Sequence, residues 1–448
     1  MTAAVQSLAA LRAANVWLSL TAIALVGLTW ATQILDPRTG GWMLLGTFLV
    51  GGLAAWGAAR LGEQAGDQRT ALVIILAGAV GMRLALLFYE PYLSTDIYRY
   101  IWDGRVQAAG INPYRYVPRA PELAQLRDTV IFPNINRPSY AVTIYPPGAQ
   151  AIFFAVTRLA ESVTALKLAL LAFEAGTIAA ILALLERQGV PPTRIALYAW
   201  HPLPVWEIAG AGHVDAAMIA LVTGGLLLFV RGRTLLAGAT VTLGALVKPT
   251  ALLALPVFWR PWDWRLPLAV AGIAVLAYLP YLSVGSGVLG FLPGYIEEEG
   301  LVSGSGFKLL WLLEQVTGPI PGGSTIYIAI SALVLASLAI AAGFRSDRSE
   351  PASLRALSWL LVTFLVLLSP HYPWYFLVLV PFLALHSTVT AWVLTTTSVL
   401  FYYLEPSRLL PTYEVRIAIF SLMMLAALAW DLRAELRRPG AIPIGETS

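Results

Sequence analysis

Apolar runs long enough to cross a lipid bilayer recur along this chain, and they restrict it to one kind of fold. A membrane-spanning helix needs roughly 20 consecutive apolar residues, within about 17 to 25. Such runs stand at 16–35, 41–59, 70–89, 165–185, 193–209, 212–230, 234–258, 266–284, 324–343, 355–369, 374–388, 389–404 and 412–430. A shorter stretch, 146–160, opens with Tyr145-Pro146-Pro147, and proline is well tolerated in a first helical turn because that N–H has no intrahelical partner. Of the 448 residues 58% are hydrophobic and only 12% charged, about half the charged share of a soluble domain. The reading is an all-α polytopic membrane protein with about 12 to 14 transmembrane helices, residues 1–448 forming one domain. Arg12 precedes an N-terminal run too long for a cleavable signal, so that run reads as the first span.

The formal charge of +4 calls for no nucleic-acid partner, since surplus Lys and Arg on cytoplasmic loops is the usual mark of orientation. With no cysteine and four scattered histidines, thiolate chemistry is excluded and a catalytic zinc has no ligand cluster. Arg60 and Arg69, the segment 345–355 and Arg433 to Arg438 read as cytoplasmic. This sends the third helix outward and places two long loops, 91–145 and 285–322, outside, with 431–448 as a cytoplasmic tail. For residues 146–265 the parity stays open, because it depends on 146–160 and on whether Lys248-Pro249 splits the run 234–258.

The loop after the third helix is unlike the rest of the chain. Residues 94–118, STDIYRYIWDGRVQAAGINPYRYVP, are dense in rings and charge. Asp96 stands there at the mouth of a span, where an ionisable group is costly and is retained for a function. Residues 97–109 read as a short helix along the membrane face, ended by Gly110, Asn112 and Pro113. Asp96, Arg99 and Asp103 share one side of it. Asp96 also fits a helix N-cap, and Arg99 with Asp103 fits an i,i+4 pair. Tyr98, Tyr100, Trp102, Tyr114, Tyr116, Tyr140 and Tyr145 offer flat faces and hydroxyls to a sugar. Arg99, Arg105, Arg115, Arg119 and Arg137 offer donors to a phosphate. An interfacial aromatic belt accounts for the rings but not for Asp96 and the arginines among them.

In the pattern D-x-Y-R-Y-x-W-D-G-R…G-x-N-P-Y from Asp96 to Tyr114, followed by the Tyr-Pro-Pro helix start, this segment resembles the first external loop of the GT-C superfamily of membrane glycosyltransferases. Within it, the pattern is similar to the polyprenyl-phosphate-mannose-dependent mannosyltransferases of bacteria. The resemblance implies Asp96 as general base on an acceptor hydroxyl, inversion at the anomeric carbon, and no obligatory metal. It further implies a polyprenyl-phosphate sugar as donor, a lipid or glycan acceptor among membrane lipids, and an active site on the extracytoplasmic side. Two helices before the one that leads into the loop depart from the simplest pattern of that superfamily.

Further candidates lie downstream. His213 and Asp215 occupy a glycine-rich joint, Gly210-Ala-Gly-His-Val-Asp, with His201 and Glu207 just before it. The joint reads either as a cavity lining or as a turn capped by Asp215. Lys248 either meets a phosphate or snorkels to the interface. Ser369-Pro-His-Tyr-Pro-Trp-Tyr375 places His371, Tyr372 and Trp374 on the outer side, and related mannosyltransferases have a similar histidine-bearing turn. Glu297 to Glu299 read as solvated, Lys308 as able to reach the site once its loop orders, and Glu405 and Arg408 as a loop cap. A transporter or lipid-glycan flippase is the rival; it demands paired halves and charges at mid-membrane.

Overall fold

The computed structural model describes residues 2–39, 41–402 and 412–437, with side chains for 13–36, 41–402 and 412–437. Glu405, Arg408 and the tail beyond residue 437 lie outside these. The described chain is helical without a strand. Eight helices are long and apolar enough to cross a membrane, and five shorter apolar helices accompany them. The first six helices are α1 (Thr2–Thr39), α2 (Trp42–Gln64), α3 (Gln68–Leu87), α4 (Asp96–Ala108), α5 (Pro147–Leu159) and α6 (Val163–Arg187). Large apolar side chains such as Trp17, Ile23, Leu53, Trp56 and Val73 face outward on the long helices. In water such a surface would aggregate; in lipid it is the expected solvent contact.

The run 193–209 is not one helix. It is divided into Pro192–Ile195, Ala196–Ala199, Pro202–Pro204 and a π-helical turn, Val205–Gly210. Pro202 and Pro204 remove backbone donors, and burial inside protein rather than exposure to lipid makes the broken backbone tolerable. Likewise Thr234–Ala245 stops before Lys248-Pro249, and a second piece, Pro249–Phe258, follows.

Basic connections meet at one end of the helices. Thr193 bonds Gln68 at 3.2 Å. Arg187 pairs with Glu350 at 3.1 Å and donates to the Val230 carbonyl. Arg345 and Arg348 donate to the carbonyls of Val257 and Trp259, and Arg355 pairs with Glu435. The connections near residues 65, 190, 232, 260, 347 and 435 therefore share one face. This settles the order left open by parity. α6 runs to the basic end, the broken run 192–210 returns, Asp215–Val230 goes back, and Thr234–Ala245 and Pro249–Phe258 form one further excursion.

The opposite end gathers the long loops. α4 is packed into the protein: Ile97, Tyr100, Ile101 and Trp102 are all buried, and the helix packs against α5 and α6. A Cβ on Gly104 would come 2.5 Å from the Phe153 carbonyl oxygen, so glycine permits the α4–α5 approach. The two loops also meet each other: the Phe291 N–H donates to the Thr143 carbonyl at 3.0 Å, and Arg137 pairs with Glu298 at 2.6 Å.

Candidate active site

Asp96 is the first residue of α4, and Thr95, not Asp96, is the N-cap. Its carboxylate turns away from the helix start toward other elements. Oδ1 accepts from Asn136 Nδ2 at 2.6 Å, and the Tyr145 hydroxyl lies 3.5 Å from Oδ2. Burial and the Asp96 charge push the Tyr100 and Tyr145 hydroxyls up, so both stay protonated beside it. His213 Nε2 stands 3.8 Å from Asp96 Oδ2, and His213 Nδ1 stands 2.7 Å from Glu207 Oε2. Neither ring nitrogen forms an in-line hydrogen bond, so these are ion-pair contacts. The Tyr402 hydroxyl donates to the other Glu207 oxygen. A row therefore runs from the half-buried Asp96 through the buried His213, Glu207 and Tyr402.

The broken backbone builds this row. Ala211 N–H reaches back to the Trp206 carbonyl and His213 N–H to that of Glu207. The wide turn brings Glu207 under His213, and such turns cluster at functional sites. Gly212 has φ 75°, and a Cβ there would meet Ile97 of α4 at 2.4 Å. The glycine joint and the Asp96 helix are thus locked together. Trp374 covers the imidazole, with ring centroids 4.3 Å apart, and Tyr372 stacks on Trp374 at 4.5 Å.

A cavity of ≈720 Å³ opens beside Asp96. Its polar wall includes Asn136, Arg137, Tyr145, Asp215 and Lys248, and its apolar wall includes Val288, Leu289 and Leu292. Lys248 pairs with Asp215 at 2.7 Å and lies over the Tyr375 ring. The break after Ala245 thus frees this lysine to turn toward the start of the Asp215 helix. Among the described residues, no three His, Asp or Glu side chains converge to hold a metal ion.

Four residues expected at the site stand elsewhere. The Tyr98 hydroxyl is bound to Glu90 at 2.6 Å. Asp103 is buried behind the cavity, held by Arg99 at 2.8 Å and by Gln150; the i,i+4 pair is what the helix contains. Arg105 clamps Asp128 and Glu161, each at 2.8 Å, and holds the loop on α4. Lys308 donates to the carbonyls of Ser369 and Pro370, and burial brings its ammonium down to about 7. It buttresses the His371 turn without entering the cavity. His371 itself pairs with Glu299 at 3.1 Å, beside the cavity wall. Glu298 and Glu299 are therefore tied down by ion pairs, Glu299 with little exposure and Glu298 still open to solvent.

Asn136, Glu207 and Tyr295 were not among the sequence candidates. Asn136 is one polar residue in a loop full of them. Glu207 lies six residues before His213, a spacing that no regular helix would bring together. Tyr295 faces Tyr375, hydroxyl to hydroxyl at 2.6 Å, across 80 residues of sequence.

Comparison with known proteins supports one grouping. A family model described as alpha-(1->6)-mannopyranosyltransferase, N-terminal domain, matches residues 1–262. Alpha-(1->6)-mannopyranosyltransferase A of Mycobacterium tuberculosis (strain ATCC 25618 / H37Rv) is 25% identical over 328 residues, covering 65% of this chain and 61% of the relative. The matched region thus spans less than two thirds of that relative's own length. No solved structure matches the chain. Because the family match runs over more than half of the chain, through the Asp96 loop and the His213 joint, this protein belongs to the alpha-(1->6)-mannopyranosyltransferase family, of the GT-C type.

Proposed function

We propose that the chain, acting as one catalytic unit, is an inverting mannosyltransferase that takes its sugar from a polyprenyl-phosphate carrier. The acceptor is a hydroxyl on a lipid-linked or cell-surface glycan. One observation carries this reading: Asp96 opens into a cavity that joins a carboxylate and cations to an apolar wall. A sugar, a phosphate and a lipid tail require those three surfaces together.

In this reading the acceptor oxygen attacks the anomeric carbon as its proton passes to the Asp96 carboxylate. The bond from that carbon to the phosphate oxygen breaks, and its electron pair leaves with the phosphate. The phosphodiester becomes a monoester, and in this scheme Arg137 and Lys248, on the cavity wall, meet the extra negative charge. Attack from the opposite face turns a β-linked carrier sugar into an α-glycoside, the linkage type in the relative's name. His213, 3.8 Å from Asp96 Oδ2, orients the carboxylate that accepts the proton. No obligatory metal enters this scheme.

The extracytoplasmic placement rests on the basic end. Arg60, Arg187, Arg231, Arg233, Arg345 and Arg348 cluster at or near that face, and excess Lys and Arg belongs in the cytoplasm. Asp96 stands at the other end. A site gathered at one end of the helices also differs from the two-sided path that a transporter needs.

The test uses purified protein, radiolabelled polyprenyl-phosphate-mannose and membrane lipid extract. Asp96→Asn should lower transfer by about 10²- to 10⁴-fold, the usual share of general acid–base catalysis. Equal transfer by the variant removes Asp96 from this role. If the wild type transfers no sugar from any polyprenyl phosphate, the donor reading fails.

A further inference from the structure

The segment 291–300 crosses the cavity mouth as a strap. Phe291, Leu292 and Tyr295 line the cavity, yet no residue of the helix Leu292–Glu298 is buried. Polar contacts hold the strap in place of a packed core. Arg137 Nε donates to Glu298 at 2.6 Å, the Tyr140 hydroxyl donates to the same carboxylate at 2.9 Å, and His371 meets Glu299 at 3.1 Å. The strap starts at Gly290 (φ 58°), where a Cβ would collide with the Thr143 carbonyl oxygen, and ends at Gly300 (φ 66°). Both backbone conformations favour glycine.

The cavity cations differ in how firmly they are occupied. Arg99 is paired with Asp103, and both are buried. Lys248 is paired with Asp215, whose side chain is 4% exposed. Arg137 and Glu298 are 27% and 30% exposed, and their pair ties the loop to the strap. An exposed pair of this kind is weak. Arg137 also adopts φ 50°, a left-handed conformation uncommon for a residue with a side chain, directly after the Asn136 that holds Asp96.

We infer that Arg137 is the phosphate-binding cation of the donor subsite and that Glu298 is an internal stand-in for the phosphate, displaced when the donor binds. This rests on the donor reading above. A carboxylate and a phosphate offer a guanidinium the same anionic oxygens, and only one can occupy Arg137 Nε. Arrival of the lipid phosphate frees Glu298 and loosens the strap over the cavity. Return of Glu298 competes with the monoester product and aids its release.

The probe is farnesyl phosphate, a short polyprenyl monophosphate, with farnesol as the phosphate-free control; binding to purified full-length protein is read by tryptophan fluorescence. Glu298→Gln should bind farnesyl phosphate roughly three- to fivefold tighter, the range a half-exposed pair supplies, with farnesol binding unchanged. Arg137→Ala should weaken farnesyl phosphate binding. Glu297→Gln removes the same charge one residue away, from a side chain in no ion pair among the described residues, and should change nothing. Unchanged or weaker binding by Glu298→Gln, or an equal gain in Glu297→Gln, overturns the exchange. Absence of farnesyl phosphate binding to wild type and Glu298→Gln alike sinks the donor reading itself. Should Glu298→Gln fail to fold, hydrogen exchange of the wild type decides. Farnesyl phosphate should speed exchange across 291–300, and slowed or unchanged exchange refutes the release.

Discussion

Burial by itself pushes the His213 imidazole toward its neutral form, yet the charges of Glu207, Asp96 and Asp215 reverse this and hold it above the ordinary histidine range. The imidazolium is therefore present at low pH and lost as pH rises through that raised value. If the His213 imidazolium orients Asp96, the alkaline limb of the kcat profile follows the loss of this proton. Glu207→Gln removes the largest stabilising charge and should move that limb to lower pH, while Glu207→Asp should restore part of the shift. A profile that falls in height without moving on the pH axis would leave Glu207 with a packing role only. Asp96 was legible in the sequence because a lone carboxylate after a membrane span is conspicuous. Glu207 was not, since its partner is reached through a π turn that no periodicity announces.

At the level of elements, α4 shows why a short helix can carry the site. Its N-terminus presents Asp96, and its middle is fixed by Gly104 against α5. Gly104→Ala forces the added methyl against both the Phe153 carbonyl oxygen and the Thr157 hydroxyl, each 2.5 Å away. Overpacking of this kind costs about 1 to 3 kcal/mol, so the variant should melt at lower temperature and, with α4 displaced, transfer more slowly. A melting temperature equal to wild type would show that the two helices separate without cost. The span 193–209 was legible as apolar but not as broken, because hydropathy reports burial and is blind to what provides it. The same composition serves a helix facing lipid and a jointed segment wrapped in protein. At Lys248-Pro249 the sequence left a break open, since proline removes a helix donor wherever it stands, and the packed structure contains it.

For the whole molecule, the arrangement makes a claim about sides. Connections near residues 65, 190, 232, 260 and 347 share the basic end, whereas both long loops share the end of Asp96. The chain contains no cysteine, so single cysteines can be introduced without background. In intact cells a membrane-impermeant thiol reagent should label Glu122→Cys, on the first loop, and leave Asp347→Cys unlabelled until the membrane is opened. The reverse pattern would place Asp96 in the cytoplasm and remove the extracytoplasmic reading.

Amino-acid order alone determined that this chain lives in a membrane, roughly where it crosses, and that Asp96 heads an unusual polar loop. Those properties are local: a run of apolar side chains, a proline or an out-of-place carboxylate has the same consequence in any fold. Tertiary structure decided which cations face the cavity. Arg105 and Lys308 looked as available as Arg137 and Lys248, but Asp128, Glu161 and the Ser369 and Pro370 carbonyls engage them away from the cavity, whereas Arg137 and Lys248 keep their ion pairs on its wall. An ionic group's role depends on what lies within a few ångströms of it, and that neighbourhood exists only once the helices have packed.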